Sequence, residues 1–187
     1  MKWIYRHPRR YEFVDNLCSL SLSNRVRRKA LSGLSGESLL EIGIGPGKCF
    51  DIASSPVKIG VDSSPQMLET ARSRFPESLL VLGTAYGLPL KDKSVEVSIL
   101  SYAIKVFSRP VDALKEALRV SSRVVVIEYY KPRFIPGFLW KNVFERFGRA
   151  VYGSRRFDLD SIASLARKTT ARDLYAGTYR VIVFDGS

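Results

Sequence analysis

Two hydrophobic periods alternate through the middle of the chain. Continuous apolar runs at Ser38–Ile42, Val57–Val61, Leu79–Leu82, Val95–Leu100 and Arg123–Tyr129 predict strands buried on both faces. Between them lie stretches with helical spacing. Ser64-Pro65 supplies a capping hydroxyl and a first-turn proline for a helix whose inner face is Met67, Leu68 and Ala71. Ser108 and Pro110 open another, with Val111, Leu114, Ala117 and Leu118 a turn apart. Strands that alternate with helices predict an α/β fold, a mostly parallel sheet with right-handed crossovers and helices on both faces.

The flanks break this rhythm. Arg9–Leu34 reads as one or two basic amphipathic helices, and Gly137–Tyr152 as a helix rich in aromatics (Phe138, Trp140, Phe144, Phe147, Tyr152). Leu159–Lys168 reads as a short helix, and Arg172–Tyr175 with Tyr179–Phe184 as a hairpin around Ala176-Gly177. The 187 residues are enough for one domain with a sizeable core and too few for two. The expected organisation is therefore a single domain over 1–187, with N-terminal helices over 1–35 and an inserted lid over 132–157.

Composition narrows the class. Hydrophobic residues make up 45% and charged residues 26%, the balance of a soluble globular chain. No apolar run nears the ~20 residues of a membrane span, and MKWIYRHPRRYEF lacks the apolar stretch of a signal peptide. Cys18 and Cys49 form no metal-binding spacing, so no metal is expected and a reducing cytoplasm is the expected location. The net charge of +12 sits on the flanks, +6 within residues 1–29 and +6 within 131–173. Such placement points to an anionic partner: a lipid surface, nucleic acid or an acidic substrate.

The strongest chemical signal is LLEIGIGPGKCFDIA. An apolar strand reaches Glu41 and runs into Gly43, Gly45 and Gly47. Glycines at alternate positions let the backbone turn sharply and approach a ligand, and a following helix would offer free N–H groups. Three details favour S-adenosylmethionine (SAM) over a dinucleotide. Glu41 ends the strand where it can face the amino-acid end of SAM. The spacing is G-x-G-x-G, not the dinucleotide G-x-G-x-x-G. The next strand ends at Asp62, 15 residues past Gly47, which puts a carboxylate in place for two ribose hydroxyls.

EIGIGPG, VDSSPQML and GTAYGLPL are similar to the successive SAM motifs of class I methyltransferases. More widely, residues 9–152 resemble the C-methyltransferases of ubiquinone and menaquinone biosynthesis. The similarity runs through RRYEFVDNLCSLSLSNRVRR, ILSYAIKVFSRPVDALKEALRV and VIEYYKPR. The chain departs from that family at Pro46, Thr84, Lys105-Val106 and Val120-Ser121-Ser122, where the family carries Thr, Asn, Arg-Asn and a Lys-Pro-Gly-Gly turn. The resemblance implies a Rossmann-like seven-stranded fold. With the motif reading, it gives an expected cofactor set of Glu41, Gly43, Gly45, Pro46, Gly47, Asp62, Ser63, Met67, Thr84, Ala85 and Ser101. Thr84 and Ala85 resemble the pair that reads the adenine edge.

Methyl transfer is an in-line displacement that depends on positioning. A carbon acceptor adds the need to stabilise a phenolate. Lys105 stands where the family carries Arg and is the candidate cation, while Tyr11, Tyr102 and Asn16 are candidates for the ring pocket. The expected function is C-methylation of a small, lipophilic aromatic or quinol precursor, with peripheral association at an anionic membrane. An RNA or protein methyltransferase that uses the basic flanks is the alternative. Against nucleobase methylation, strand four ends in Leu100-Ser101-Tyr102-Ala103 instead of Asn/Asp-Pro-Pro-aromatic, and no Pro-Cys pair is present.

Overall fold

The computed structural model describes residues 2–19, 22–130, 143, 145–166 and 168–185. Five strands, β1 (Ser38–Ile42), β2 (Val57–Asp62), β3 (Leu79–Leu82), β4 (Val95–Ser101) and β5 (Ser121–Tyr129), pair in parallel. Two more, β6 (Lys168–Leu174) and β7 (Tyr179–Asp185), form the antiparallel hairpin expected at Ala176-Gly177. The seven make one sheet in the order β3-β2-β1-β4-β5-β7-β6, with β7 antiparallel to β5. The hairpin loop holds Tyr175, Ala176 and Gly177 in the left-handed region, with Thr178 N–H donating to Tyr175 O at 3.1 Å.

The alternation within each strand divides the core. Leu40, Ile42, Val61, Leu100, Val124 and Val126 face one side, against α4 (Pro110–Val120) through Ala113, Leu114, Ala117 and Val120. Leu39, Val97, Ile99, Val125 and Ile127 face the other, against Val26 and Leu31 of α2 (Leu22–Leu31) and Leu68 and Ala71 of α3 (Pro65–Arg74). Burial of both faces is why β1, β2, β4 and β5 read as apolar runs; β3, expected to be buried like them, lies at the sheet edge and leaves Leu79 and Leu82 exposed. An α1 helix (Pro8–Ser19) and a 3-10 turn (Trp3–Arg6) precede α2. No helix among the described residues is long and apolar enough to cross a membrane.

Three further expectations are corrected. No helix follows the glycine loop; residues 43–52 are a chain of tight turns, with Gly47 N–H donating to Ile44 O and Phe50 N–H to Gly47 O. Gly43, Gly45 and Gly47 all have left-handed φ, so no regular helix includes the glycine stretch itself, and Pro46 has no N–H to give. Ser108 does not cap α4; its hydroxyl and N–H both meet Tyr86 Oη, and Arg109 is the cap position. Leu159–Lys168 is a 3-10 turn over Asp160–Leu165, and Lys168 already pairs in β6. Of the aromatic segment expected to be helical over Gly137–Tyr152, the described part holds a helix, α5, at Glu145–Val151; residues 137–142, with Phe138 and Trp140, and Phe144 lie outside the described residues. The Ser64 cap of α3 is as expected, its Oγ accepting from Met67 N–H at 3.4 Å.

Candidate functional site

The strand order reverses at β1, which has β2 on one side and β4 on the other. In an open α/β sheet the carboxyl ends of the strands at such a point leave a crevice. A cleft of about 1250 Å³ opens there, walled by residues that follow β1, β2, β4 and β5 together with α1 and the segment from Glu145 to Leu159.

At one end the loop after β1 curls over β2. Gly43 and Ile44 N–H both donate to Val61 O, at 2.8 and 3.1 Å. Gly45 N–H donates to Asp62 Oδ2 and Ser64 N–H to Asp62 Oδ1, each at 2.8 Å. Burial raises the Asp62 carboxyl above its ordinary value, opposed by the backbone donors of Ser64, Gly45 and Ser63. Gly45 has φ +53°, and the space a Cβ would take is empty, so a ligand can lie directly on the backbone. Gly47 is glycine for another reason: a Cβ would sit 2.7 Å from Phe75 Cε2.

Glu41 lies beneath this loop, 2% exposed, and its Oε2 is the one buried side-chain oxygen or nitrogen without a hydrogen-bond partner among the described residues. Burial lifts its carboxyl to about 8, opposed by a hydrogen bond from Cys49 and by the charge of Arg27, while Asp62 raises it further. A ligand with a cationic amino-acid end, hydroxyls for Asp62 and a body laid against Gly45 fits these groups. The donor set therefore suits SAM.

At the other end Tyr102 sits just past β4 with φ +55°, a left-handed conformation uncommon for a non-glycine residue. Tyr102 N–H donates to Ile127 O at 2.8 Å, which holds the turn. Its ring centroid lies 4.9 Å from that of Tyr129 and 4.6 Å from the Arg27 guanidinium. Lys105 Nζ donates to Tyr129 O, and Lys105 N–H donates to Glu128 Oε2 at 3.4 Å. Glu128 is buried, which raises its carboxyl; the nearby Lys105 charge and the Tyr129 and Lys105 N–H groups pull it back.

Gly43, Gly45, Asp62, Ser63, Met67, Thr84, Ala85 and Ser101 line the cleft, as do Tyr11, Tyr102 and Lys105. Glu41, Pro46 and Gly47 lie behind its wall; Pro46 O instead accepts from Arg74. Asn16 is exposed on another surface, beside Asn24.

Four residues that the sequence reading did not select also build the site: Tyr5, Asp15, Arg27 and Glu128. Arg27 is 3% exposed; its Nε donates to Ser101 Oγ at 3.1 Å, and Nη1 stands 3.9 Å from Asp15 Oδ2. Lys48, on the glycine loop, reaches the same Asp15 oxygen at 2.9 Å. The available signal was that Arg27 shares the buried face of α2 with Ser23, Val26 and Leu31. Its basic neighbours Arg25, Arg28 and Lys29 mask that spacing. Tyr5 ties the two ends together: its carbonyl accepts from Ser64 Oγ at 2.7 Å and its hydroxyl donates to Tyr152 O at 2.8 Å.

Residues 40–123 match the family described as a methyltransferase domain. A demethylmenaquinone methyltransferase of Paenarthrobacter aurescens is 28% identical over 146 residues, 74% of this chain and 56% of that protein. The protein of the same name from Chlorobaculum tepidum is 32% identical over 123 residues, 59% of this chain and 50% of its own. The chain thus spans about half the length of these curated relatives. A SAM-dependent methyltransferase from Thermotoga maritima, described as a possible histamine N-methyltransferase, is 25% identical, with TM-score 0.69 over 98% of this chain and 100% of that one. The Synechocystis magnesium protoporphyrin IX methyltransferase, solved with SAH bound, shares the fold at 13% identity, with TM-score 0.62 over 90% of this chain and 84% of its own. Residues 40–123 are thus similar to a methyltransferase domain, and the chain shares the class I, Rossmann-like fold of these SAM-dependent methyltransferases.

Proposed function

We propose that the protein is a SAM-dependent methyltransferase that methylates a ring carbon of a small, lipophilic aromatic or quinol acceptor. The observation that carries this reading is one continuous cleft with a nucleotide-type end, at Gly45 and Asp62, and an aromatic end with an ammonium, at Tyr102 and Lys105. When bound, SAM supplies an electrophilic methyl group on a sulfonium sulfur. Asp62 accepts hydrogen bonds from the ribose hydroxyls, and Gly45, with no atom where its Cβ would be, lets the cofactor lie against the backbone. Glu41 balances the charge of the amino-acid end from behind the loop. Met67, Thr84 and Ala85 flank the adenine, and Ser101 sits between the cofactor and Arg27.

Tyr11 and Tyr102 hold the acceptor ring. The Lys105 ammonium, one of whose three N–H groups is committed to Tyr129 O, turns another toward the acceptor oxygen and stabilises it as phenolate. The relatives named for demethylmenaquinone support a quinol acceptor and, with the basic flanks, peripheral association at the cytoplasmic face of a membrane.

Calorimetry and a labelled-SAM assay with a hydroquinone acceptor test the reading. SAM and SAH should bind, and Asp62→Ala should weaken both by about 1.5–3 kcal/mol through lost charge-assisted hydrogen bonds. Lys105→Met should cut turnover by about 10²-fold while leaving SAM affinity within about twofold, because the loss is confined to the transition state. Absence of SAM binding would sink the cofactor assignment. Label entering RNA or protein, and no quinol, would replace the acceptor class.

A further inference from the structure

We infer that the acceptor carries an anionic group, a phosphate or a carboxylate, that docks on a lip of unpaired cations formed by Lys2, Arg149 and Arg155 at the mouth of the cleft. The inference rests on the reading of the aromatic end of the cleft as an acceptor pocket.

Backbone contacts bring the three residues to a single turn. Gly153 N–H donates to Arg149 O at 3.1 Å, and Arg155 N–H donates to Lys105 O at 2.7 Å. The stem of Lys2 packs on the same turn, with its Cγ 3.1 Å from where a Cβ of Gly153 would be. The hydrogen bond from Tyr5 to Tyr152 O holds the chain that carries Lys2 there. The lip is thus fastened both to the N-terminal turn and, through Arg155, to the residue that bears the candidate catalytic ammonium.

Among the described residues no carboxylate pairs with these cations. All the Asp and Glu residues of the chain lie among the described residues, and those that line the cleft make their described contacts with groups other than these three cations. Asp15 holds Lys48 and Arg27. Asp62 holds two backbone N–H groups. Glu128 takes the N–H groups of Tyr129 and Lys105. Glu145 pairs with Arg156 at 2.9 Å, and Asp158 accepts from Asp160 N–H at 3.0 Å. Among the described residues no ion pair involves Lys2, Arg149 or Arg155. Residues 131–142 contribute Lys131, Arg133 and Lys141 to the sequence and no acid.

Three like charges held around one turn repel, and a bound anion relieves that repulsion. Three phenols line the same cleft. Tyr11 lies between Tyr5 and Tyr152, at centroid distances of 5.9 and 6.0 Å. Burial keeps all three hydroxyls protonated, so this wall repels neither an aromatic body nor an anion. The shape and charge together select an amphiphile with an aromatic portion inside and its anionic group at the rim.

The test uses the full chain saturated with SAH and phenyl phosphate, benzoate and phenol as probes, with affinities followed by tyrosine fluorescence. Phenyl phosphate and benzoate should bind at least about tenfold tighter than phenol, and the advantage should shrink with salt. Arg149→Gln with Arg155→Gln should abolish it while SAH affinity stays within about twofold. Arg146→Gln, on α5 but outside the cleft wall, should change nothing. A parallel arm uses phosphatidylglycerol and phosphatidylcholine vesicles. If the double variant loses only its preference for the anionic vesicles, the anion belongs to a lipid headgroup; if it loses the soluble aryl anions, it belongs to the acceptor itself. Anion binding in both arms that is indifferent to Arg149 and Arg155 would overturn the inference, and failure of SAH to bind would overturn the cofactor reading instead.

Discussion

Glu41 shows what burial does to a carboxyl. Its folded carboxyl is lifted to about 8 by burial, whereas an exposed one ionises near ~4.3. Below the unfolded value both states are protonated and Glu41 costs nothing. As pH rises toward 8 the unfolded chain loses the proton and the folded one retains it, so this contribution to stability is lost progressively and levels off above 8. Thermal melts of the ligand-free protein should show a fall in midpoint between about pH 5 and 8 that is reduced in Glu41→Gln. A midpoint that varies identically with pH in both proteins would remove the effect. SAM should narrow the difference for the wild type, because a cation beside the carboxylate favours its ionised form. The motif made Glu41 and Asp62 legible as a pair, since strand, glycines and second strand fix their separation. It left Arg27 hidden, because only the packing of α2 against β4 shows that this arginine, among several, is inside.

At the scale of elements, Ser64 does two things at once. Its hydroxyl caps α3 and also donates to Tyr5 O, so Ser64→Ala should destabilise by about 1–2 kcal/mol, at the upper part of the range for a lost cap. Urea denaturation measures this, and a change under about 0.5 kcal/mol would mean that the cap is idle. Leu114, fully buried between α4 and the sheet, should cost about 2–5 kcal/mol as Leu114→Ala. The elements that were legible share a cause. β1, β2, β4 and β5 are buried on both faces and read as apolar runs. By contrast β6, with exposed Lys168, Thr170, Ala171 and Arg172, was found only through its turn and only in part. The segment after Gly47 was expected to be helical because a glycine loop of this kind commonly leads into a helix, whereas the chain there forms successive turns, with Phe50 N–H donating to Gly47 O and Ile52 N–H to Cys49 O.

For the whole molecule the net charge of +12 has a general cost. Like charges on two flanks repel across a 187-residue chain, and added salt screens them. The melting midpoint should therefore rise when sodium chloride is increased from about 20 to 200 mM, over which the Debye length shortens from about 20 to 7 Å. A midpoint that falls would mean that the described ion pairs, such as Lys48–Asp15 and Arg74–Glu12, outweigh the excess charge.

The place of β7 in the sheet bears on how the protein is made. It inserts between β5 and β6 and pairs with β5 from Arg123 to Tyr129. While a ribosome is still producing residues before Tyr179, every parallel strand is already outside or emerging, and β5 offers an open row of N–H and C=O groups along Val124, Val125, Val126 and Ile127. An exposed apolar edge of this kind pairs readily with another chain. The nascent protein is thus most prone to aggregate just before its sheet is closed. A chain stopped at residue 166 should be recovered in inclusion bodies unless a chaperone covers β5, although the cofactor loop, Asp62 and Lys105 are all present in it.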